Sequence, residues 1–188
     1  FTRFGTAVAS LGDIDHDGIT DIAVGAESDS TEGNGRGSVY ILRLNSDGSV
    51  KTGGTTRIAS GVNGGPALTD RSYFGHSLAS LGDFDGDGIV DLAVGARKDN
   101  TAATGAGAVY ILRLNADGTV KTGGLTQITS GVNGGPTLSA RDYFGQVANA
   151  GDIDGDGVTD LAVGAYGDDT GGTNRGAIYL VRLNADGT

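Results

Sequence analysis

The feature that most constrains the fold is an internal repeat with a spacing of 70 residues. When residues 4–73 are placed over residues 74–143, 46 of the 70 positions are identical, and a third copy begins at Phe144. A chain that repeats at such a spacing folds as copies of one small unit, and each unit buries its apolar surface against its neighbours. We therefore predict three tandem units, the third of them incomplete. Their boundaries are 1–73, 74–143 and 144–188.

Each complete unit reads as four short strands joined by glycine-rich turns. The first strand runs from a Phe-Gly pair to a group of aspartates, and the second is the apolar run DIAVGA or DLAVGA. The third is SVYILRL in the first unit, where the Asp-Gly of the following NSDG indicates a hairpin, and the fourth lies around TTRIAS. No segment has a sustained helical period with caps, so no helix is predicted. The sequence predicts an all-β protein of tandem four-stranded antiparallel blades of the propeller type.

Composition and charge exclude several classes of protein. The chain has no cysteine and a net charge of −10. It lacks the concentration of Lys and Arg that phosphate contacts need, so no nucleic-acid partner is expected. It also lacks a run of about 18 apolar residues, so no membrane span is expected. Because it starts at Phe1 with neither an initiator methionine nor an apolar leader, we expect a mature product or a fragment.

The most specific motif is D-x-D-x-D-G-x-x-D, which occurs once in each unit. Alternate carboxylates on a tight loop converge on one point, the glycine permits the sharp turn, and the residue after it can turn its carbonyl inward. Oxygen ligands alone select Ca²⁺ over zinc or copper, and Mg²⁺ prefers a rigid octahedron with retained waters. We predict one Ca²⁺ per unit. Its ligands would be Asp13, Asp15, Asp17, Ile19 and Asp21; Asp83, Asp85, Asp87, Ile89 and Asp91; and Asp152, Asp154, Asp156, Val158 and Asp160.

Two other interpretations of the motif are weaker. An EF-hand would place a glutamate at position twelve and helices on both sides, whereas Val24, Val94 and Val163 stand there and a strand follows. A solvated Asp-Gly turn would explain any single copy. Three copies at fixed spacing, which hold 12 of the 23 acidic residues, favour the metal. Calcium sites of modest affinity would fill only outside the cell, which suggests an extracellular setting.

The Phe-Gly pair, the aspartate loop and the Gly-Ala after the second strand together resemble the FG-GAP repeat. That repeat builds the calcium-binding β-propeller of integrin α subunits and of many bacterial surface and secreted proteins. The resemblance covers nearly the whole chain and implies blades with calcium in the loop between their first two strands. It carries over as ligands the twelve aspartates above and the carbonyls of Ile19, Ile89 and Val158. The chain departs from the family where Glu27, Arg97 and Tyr166 replace a frequent proline after Gly-Ala.

The number of repeats leaves the higher-order arrangement open. A propeller needs at least about four blades to close, and the third unit here lacks its fourth strand. Its third strand would be an unpaired edge that invites pairing. The chain could be part of a longer propeller, several copies could assemble into a ring, or the blades could form an open array or fibre.

No group of residues indicates an active site. Cysteine, G-x-S-x-G and phosphate-binding loops are absent from the sequence. His16 and His76 stand at positions that vary between units, and we expect both to be exposed loop or strand residues. A loop that gives four carboxylates to one ion leaves little room for substrate, which argues for a structural metal. The recurring aromatic residues are expected to pack between blades rather than form a ligand platform. They are Phe4, Phe74 and Phe144, and Tyr40, Tyr110 and Tyr179.

The sequence therefore predicts a non-enzymatic, secreted or cell-surface module, stabilised by calcium, for cell adhesion or for recognition of a protein or glycan. Loops carry recognition on rigid scaffolds, so contacts are expected in the segments that differ most between units, although these could equally be unconstrained loops. They are Glu27–Arg36, Arg97–Ala106 and Tyr166–Arg175. The alternatives are a structural subunit that self-associates through open blade edges into a calcium-stabilised fibre, and an accessory domain of a secreted hydrolase.

Overall fold

The chain folds into three antiparallel sheets. This architecture comes from a computed structural model that describes residues 2–173 and 175–188. The strands are β1 (Phe4–Gly12), β2 (Asp21–Ala26), β3 (Ser38–Leu44) and β4 (Val50–Ala59) in the first sheet; β5 (Phe74–Gly82), β6 (Asp91–Ala96), β7 (Ala108–Leu114) and β8 (Val120–Ile128) in the second; and β9 (Phe144–Gly151), β10 (Asp160–Ala165) and β11 (Ala177–Val181) in the third. Neighbouring strands follow one another in the chain. The described residues contain no helix, so none that could cross a membrane. The all-β fold with an incomplete third unit is confirmed.

The second strand of each sheet is apolar after its first residue, an aspartate, because it lies between two other strands and packs against a neighbouring sheet. β2 pairs with both β1 and β3, and β6 is buried along its whole length. A strand covered on both faces reads as a continuous apolar run rather than an alternating one.

The fourth strands begin earlier than the sequence indicated. Asn45 donates its N–H to the Ser49 carbonyl at 2.8 Å, which closes the hairpin directly after β3, so β4 begins at Val50. Gly48 supplies the positive φ of 81° that this turn requires. The predicted strand around TTRIAS is therefore the second half of β4.

Adjacent sheets stack face to face through two apolar clusters. In the first, Val39 and Ile41 of β3 pack with Phe74 of β5 and with β6. In the second, the equivalent residues Val109 and Ile111 of β7 pack with the third sheet. The outer face of the third sheet has no such cover: Ile178 and Leu180, which correspond to Val39 and Ile41, are 77% and 64% exposed.

The recurring aromatic residues form one edge-to-face pair in each sheet. The ring centroids are 5.3, 5.6 and 5.9 Å apart in the pairs Phe4–Tyr40, Phe74–Tyr110 and Phe144–Tyr179. Phe74 and Phe144 are fully buried between sheets, as predicted. Phe4 is 55% exposed, because no other sheet among the described residues packs on this face of the first sheet.

A buried aspartate after each second strand fixes the same tyrosine. Asp29 accepts hydrogen bonds from the Tyr40 hydroxyl at 3.0 Å and from Ser38 Oγ at 2.8 Å. Asp99 and Asp168 accept the equivalent tyrosine hydroxyls in the other sheets. Burial alone would raise the pKa of Asp29, but hydrogen bonds from Thr31, Ser38 and Tyr40 outweigh it and lower the pKa to about 2.

Substitution of Ile41 and Leu180 with alanine compares one repeat position with and without a stacked sheet. Ile41→Ala should lower the free energy of unfolding by about 3 kcal/mol, since it opens a cavity in a packed interface. Leu180→Ala should change it by less than about 0.5 kcal/mol, because its side chain lies mostly in solvent. Chemical denaturation measures both. An equal loss for Leu180→Ala would contradict this and would show that the face is covered in solution.

The lowered pKa of Asp29 predicts a loss of stability in acid. The carboxylate is favoured in the folded state, so its contribution is present above pH 4 and is lost as the pH falls from about 4 to about 2. A shift of this size corresponds to about 2 kcal/mol. Unfolding free energies measured across this pH range should therefore fall less steeply for Asp29→Asn than for the unmodified chain. Parallel curves would contradict the role given to Asp29.

Candidate metal centres

Each aspartate motif forms the loop between the first two strands of its sheet. The loops span 13–20, 83–90 and 152–159. Oδ2 of the first aspartate accepts the backbone N–H of the sixth-position glycine at 2.7, 3.0 and 2.9 Å in the three loops. That glycine, which is Gly18, Gly88 or Gly157, has a φ of 89° in every loop, a conformation that strains other residues. The motif thus folds its loop back on its own first carboxylate.

The loops bring together three of their four predicted carboxylates. One ligand atom from each lies within 4.8 Å of the others. The groups are Asp13, Asp15 and Asp17; Asp83, Asp85 and Asp87; and Asp152, Asp154 and Asp160. The first two loops therefore gather motif positions one, three and five, whereas the third loop gathers positions one, three and nine.

One carboxylate oxygen of the first loop, Asp15 Oδ1, is buried without a hydrogen-bond partner among the described residues. An unpaired buried carboxylate oxygen is costly, and a cation placed between the carboxylates would satisfy it. The residues present therefore fit a bound metal ion of the hard, oxygen-ligated kind.

A lysine from the fourth strand reaches into each of the first two loops. Lys51 Nζ lies 2.5 Å from Asp15 Oδ2 and 2.6 Å from Asp17 Oδ2. Lys121 Nζ lies 2.5 Å from the equivalent oxygens of Asp85 and Asp87. The hydrogen bonds to Asp15 and Asp17 raise the pKa of Lys51. No lysine contacts the third loop among the described residues.

The ninth-position aspartates face inward and bind backbone groups. Asp21 is fully buried; its Oδ2 accepts the Ile14 N–H at 3.1 Å and its Oδ1 accepts the Leu44 N–H at 2.8 Å. Asp91 and Asp160 make the same two bonds in their sheets. Burial, with the Asp85 carboxylate nearby, raises the pKa of Asp91 to about 6 despite the bond from Leu114. These side chains connect the loop to the end of the third strand.

The seventh-position residues turn their side chains towards the protein. Ile89 is 6% exposed and belongs to the first core cluster, and Val158 packs against the second. Ile19 is half-buried. Their N–H groups donate to the fifth-position aspartate at 2.8, 2.9 and 2.8 Å.

The two histidines have different surroundings from each other. His16 is exposed in the first loop, as expected, and has a φ of 61° where the other loops have glycine. The expectation that His76 is exposed was wrong: it is half-buried, and its Nδ1 lies 2.9 Å from Glu27 Oε2. Arg97 contacts the same carboxylate at 3.3 Å. Burial and the Arg97 charge lower the pKa of His76. The group joins the first two sheets.

Comparison with known proteins agrees with this geometry. The profile of the FG-GAP repeat matches residues 4–42, 74–112 and 144–181. Each match begins at the Phe-Gly pair and ends in the third strand. The chain belongs to the FG-GAP repeat family.

Similar proteins include integrin α subunits. Integrin alpha-PS2 of Drosophila melanogaster is 35% identical over 173 residues, which is 88% of this chain and 12% of the integrin. Integrin alpha-4 of Xenopus laevis is 34% identical over 165 residues, 87% of this chain and 14% of the integrin. The chain thus spans less than a sixth of the length of each of these subunits.

The strand-four lysines predict how the FG-GAP loops respond to a divalent cation. Because the ammonium groups occupy the carboxylates that a metal would use, Lys51→Met should bind Ca²⁺ more tightly, by on the order of tenfold. Calcium titration by calorimetry provides the measurement. Lys98→Met removes the same charge outside the loops and should leave the affinity unchanged. Weaker binding by Lys51→Met would mean that the lysine supports the site instead of competing for it.

Proposed function

We propose that this chain is an extracellular, calcium-stabilised module of propeller-type blades that serves cell adhesion or the recognition of a protein or glycan, and that it has no enzymatic activity. The observation that best supports this is the carboxylate cluster in each of the three loops, two of which already hold a side-chain cation. A loop that attracts an ammonium group this closely presents a strong negative potential for Ca²⁺.

Calcium is the metal that suits these loops best. The ligands would be the predicted aspartates together with the carbonyl oxygens of Ile19, Ile89 and Val158. All are hard oxygens on a flexible loop, which favours Ca²⁺ over Zn²⁺, Cu²⁺ and Mg²⁺. The bound ion would supply positive charge to the loop, so its role is structural.

The benefit of calcium depends on where the protein is found. At a dissociation constant of about 10⁻⁴ M, common for extracellular modules, millimolar calcium would stabilise each site by about 1.4 kcal/mol. Cytosolic calcium would leave such sites largely empty. This dependence, and the resemblance to part of the integrin α subunits, support an extracellular or cell-surface location.

Recognition is assigned to the end of the sheets opposite the aspartate loops. In an antiparallel meander, the connection between strands two and three lies at the opposite end from that between strands one and two. The variable segments Glu27–Arg36, Arg97–Ala106 and Tyr166–Arg175 make these connections. Calcium would thus hold one end of each blade while the loops at the other end are free to vary.

A structural subunit that forms a fibre or ring remains the second candidate, supported by the two uncovered outer sheets. Phe4 and Val8 of the first sheet are 55% and 60% exposed, and Ile178 and Leu180 of the third are 77% and 64% exposed. In the two stacked interfaces the equivalent residues face each other. A second copy could therefore stack on the third sheet as the second sheet stacks on the first, a head-to-tail contact that repeats.

Removal of calcium tests the proposed function. With three sites filled, we expect a chelator to lower the melting temperature by on the order of 10 °C. The triple variant Asp15→Asn, Asp85→Asn, Asp154→Asn should lose this difference. The control variant Asp47→Asn, Asp117→Asn, Asp186→Asn removes the same charge from the two strand 3–4 turns and from the matching turn after β11, and it should keep the difference.

The same samples separate the two candidates. Sedimentation of discrete small particles with and without calcium would support the recognition module, and calcium-dependent polymers would support the fibre. Identical melting in calcium and in chelator would contradict both, because neither would then depend on the ion.

A further inference from the structure

We propose that a basic groove on the recognition end of the second sheet binds the carboxylate side chains of an acidic peptide. The groove is a cavity of about 400 Å³ lined by Arg71, Lys98 and Arg141 together with Asn100, Thr104 and Tyr143. It lies between the loops that lead into β5 and β9 and the variable β6–β7 connection. The inference rests on the proposed recognition function and assigns it a partner chemistry.

The backbone holds both arginines in an unfavourable conformation. Arg71 and Arg141 have φ values of 64° and 70°, and Tyr73 and Tyr143 follow at 56°. A left-handed conformation costs an ordinary residue roughly 1 kcal/mol. Backbone hydrogen bonds to the variable segments maintain this conformation: the Arg71 N–H donates to the Asn34 carbonyl at 2.7 Å, and the Arg141 N–H donates to the Thr104 carbonyl at 2.9 Å. The same left-handed turn recurs in two loops and places one arginine from each loop in the lining of a single cavity.

The cations of the groove are not neutralised by the protein. Arg71, Lys98 and Arg141 have no carboxylate partner among the described residues, although the chain carries a net charge of −10. Six of the ten other Lys and Arg side chains form ion pairs. These are Arg3, Arg36, Lys51, Arg57, Arg97 and Lys121. Two more, Arg43 and Arg113, donate to the backbone carbonyls of Gly53 and Gly123. Asp70, which also borders the groove, is bound to Arg36 at 2.9 Å. Three cationic residues that line one cavity without an ion-pair partner, in an acidic protein, indicate a site for an anion.

The aromatic side chains position Lys98 and leave little room for a sugar ring. Lys98 Nζ lies 5.3 Å from the Tyr73 ring centroid and 5.7 Å from that of Tyr143. Tyr143 is stacked on Tyr166 with the centroids 4.9 Å apart. Because neighbouring groups already occupy these ring faces, stacking against a pyranose is disfavoured. Two guanidinium forks and an ammonium group instead match planar carboxylates, which arginine binds with two parallel hydrogen bonds.

A fluorescein-labelled, end-capped hexaglutamate peptide provides the test, with binding followed by anisotropy in millimolar calcium. We expect Arg71→Gln/Arg141→Gln to bind at least about tenfold more weakly than the unmodified chain, since each substitution removes charge-assisted hydrogen bonds. Arg113→Gln/Arg182→Gln removes the same charge at an equivalent pair of repeat positions outside the groove and should retain the affinity. Added salt should weaken binding to the unmodified chain.

Three outcomes would overturn the inference: no binding of hexaglutamate, equal loss in both double variants, or binding of an oligogalacturonate in preference to the peptide. The calcium-dependent shift in melting temperature, measured on the same variants, separates this inference from the proposed function. Loss of peptide binding with the shift intact supports the groove in a folded module. Peptide binding that persists where calcium has no effect supports the groove and contradicts the calcium-stabilised module.

Discussion

A buried carboxylate at the end of each aspartate loop holds the sheet together. Asp21 accepts one N–H from Ile14 inside the loop and another from Leu44 at the end of β3. Burying a charge in this way is costly unless hydrogen bonds and nearby opposite charge compensate it. Burial, with the Asp85 carboxylate nearby, raises the pKa of Asp91 to about 6, so its hydrogen bonds only partly offset this cost. The Asp21 carboxylate thus contacts both the aspartate loop and the end of β3. A change in the charge of the loop therefore acts directly on the side chain that joins the loop to the third strand.

Stacking is the second requirement, because a single sheet here has two apolar faces and cannot cover both alone. β2 and β6 are apolar after their first residue, an aspartate, and Ile41 and Ile111 are fully buried where another sheet lies over them. The free energy of unfolding of such an array is approximately the sum of the stabilities of the individual sheets and of the interfaces between neighbouring sheets. The exposed fraction of Leu180, compared with the fully buried Ile41, therefore shows how much apolar surface this repeat position presents when no sheet is stacked on it.

The sequence predicted local features well and contacts between distant segments poorly. The strands, the turn at Asp47-Gly48 and the aspartate loops follow from periodicity and turn chemistry within about ten residues. Lys51 was missed because its contact with Asp15 spans 36 residues and depends on where β4 begins. The Val-Lys pair that recurs at 120–121 was the available signal. His76 was misjudged because Glu27 and Arg97 surround it only once the sheets stack.

The two ends of the sheets differ in their density of negative charge, and this difference connects stability to recognition. One end concentrates twelve aspartates, partly offset by Lys51 and Lys121. The other end holds Arg71 and Arg141, neither of which forms an ion pair with a carboxylate of the described residues. Both lie on left-handed turns that backbone hydrogen bonds to the variable segments maintain. A cation bound at the acidic end would reduce the long-range field there without contacting the groove. Calcium would then weaken the negative field that opposes an anionic ligand at the groove, so one ion would both stiffen the sheet and favour an acidic partner.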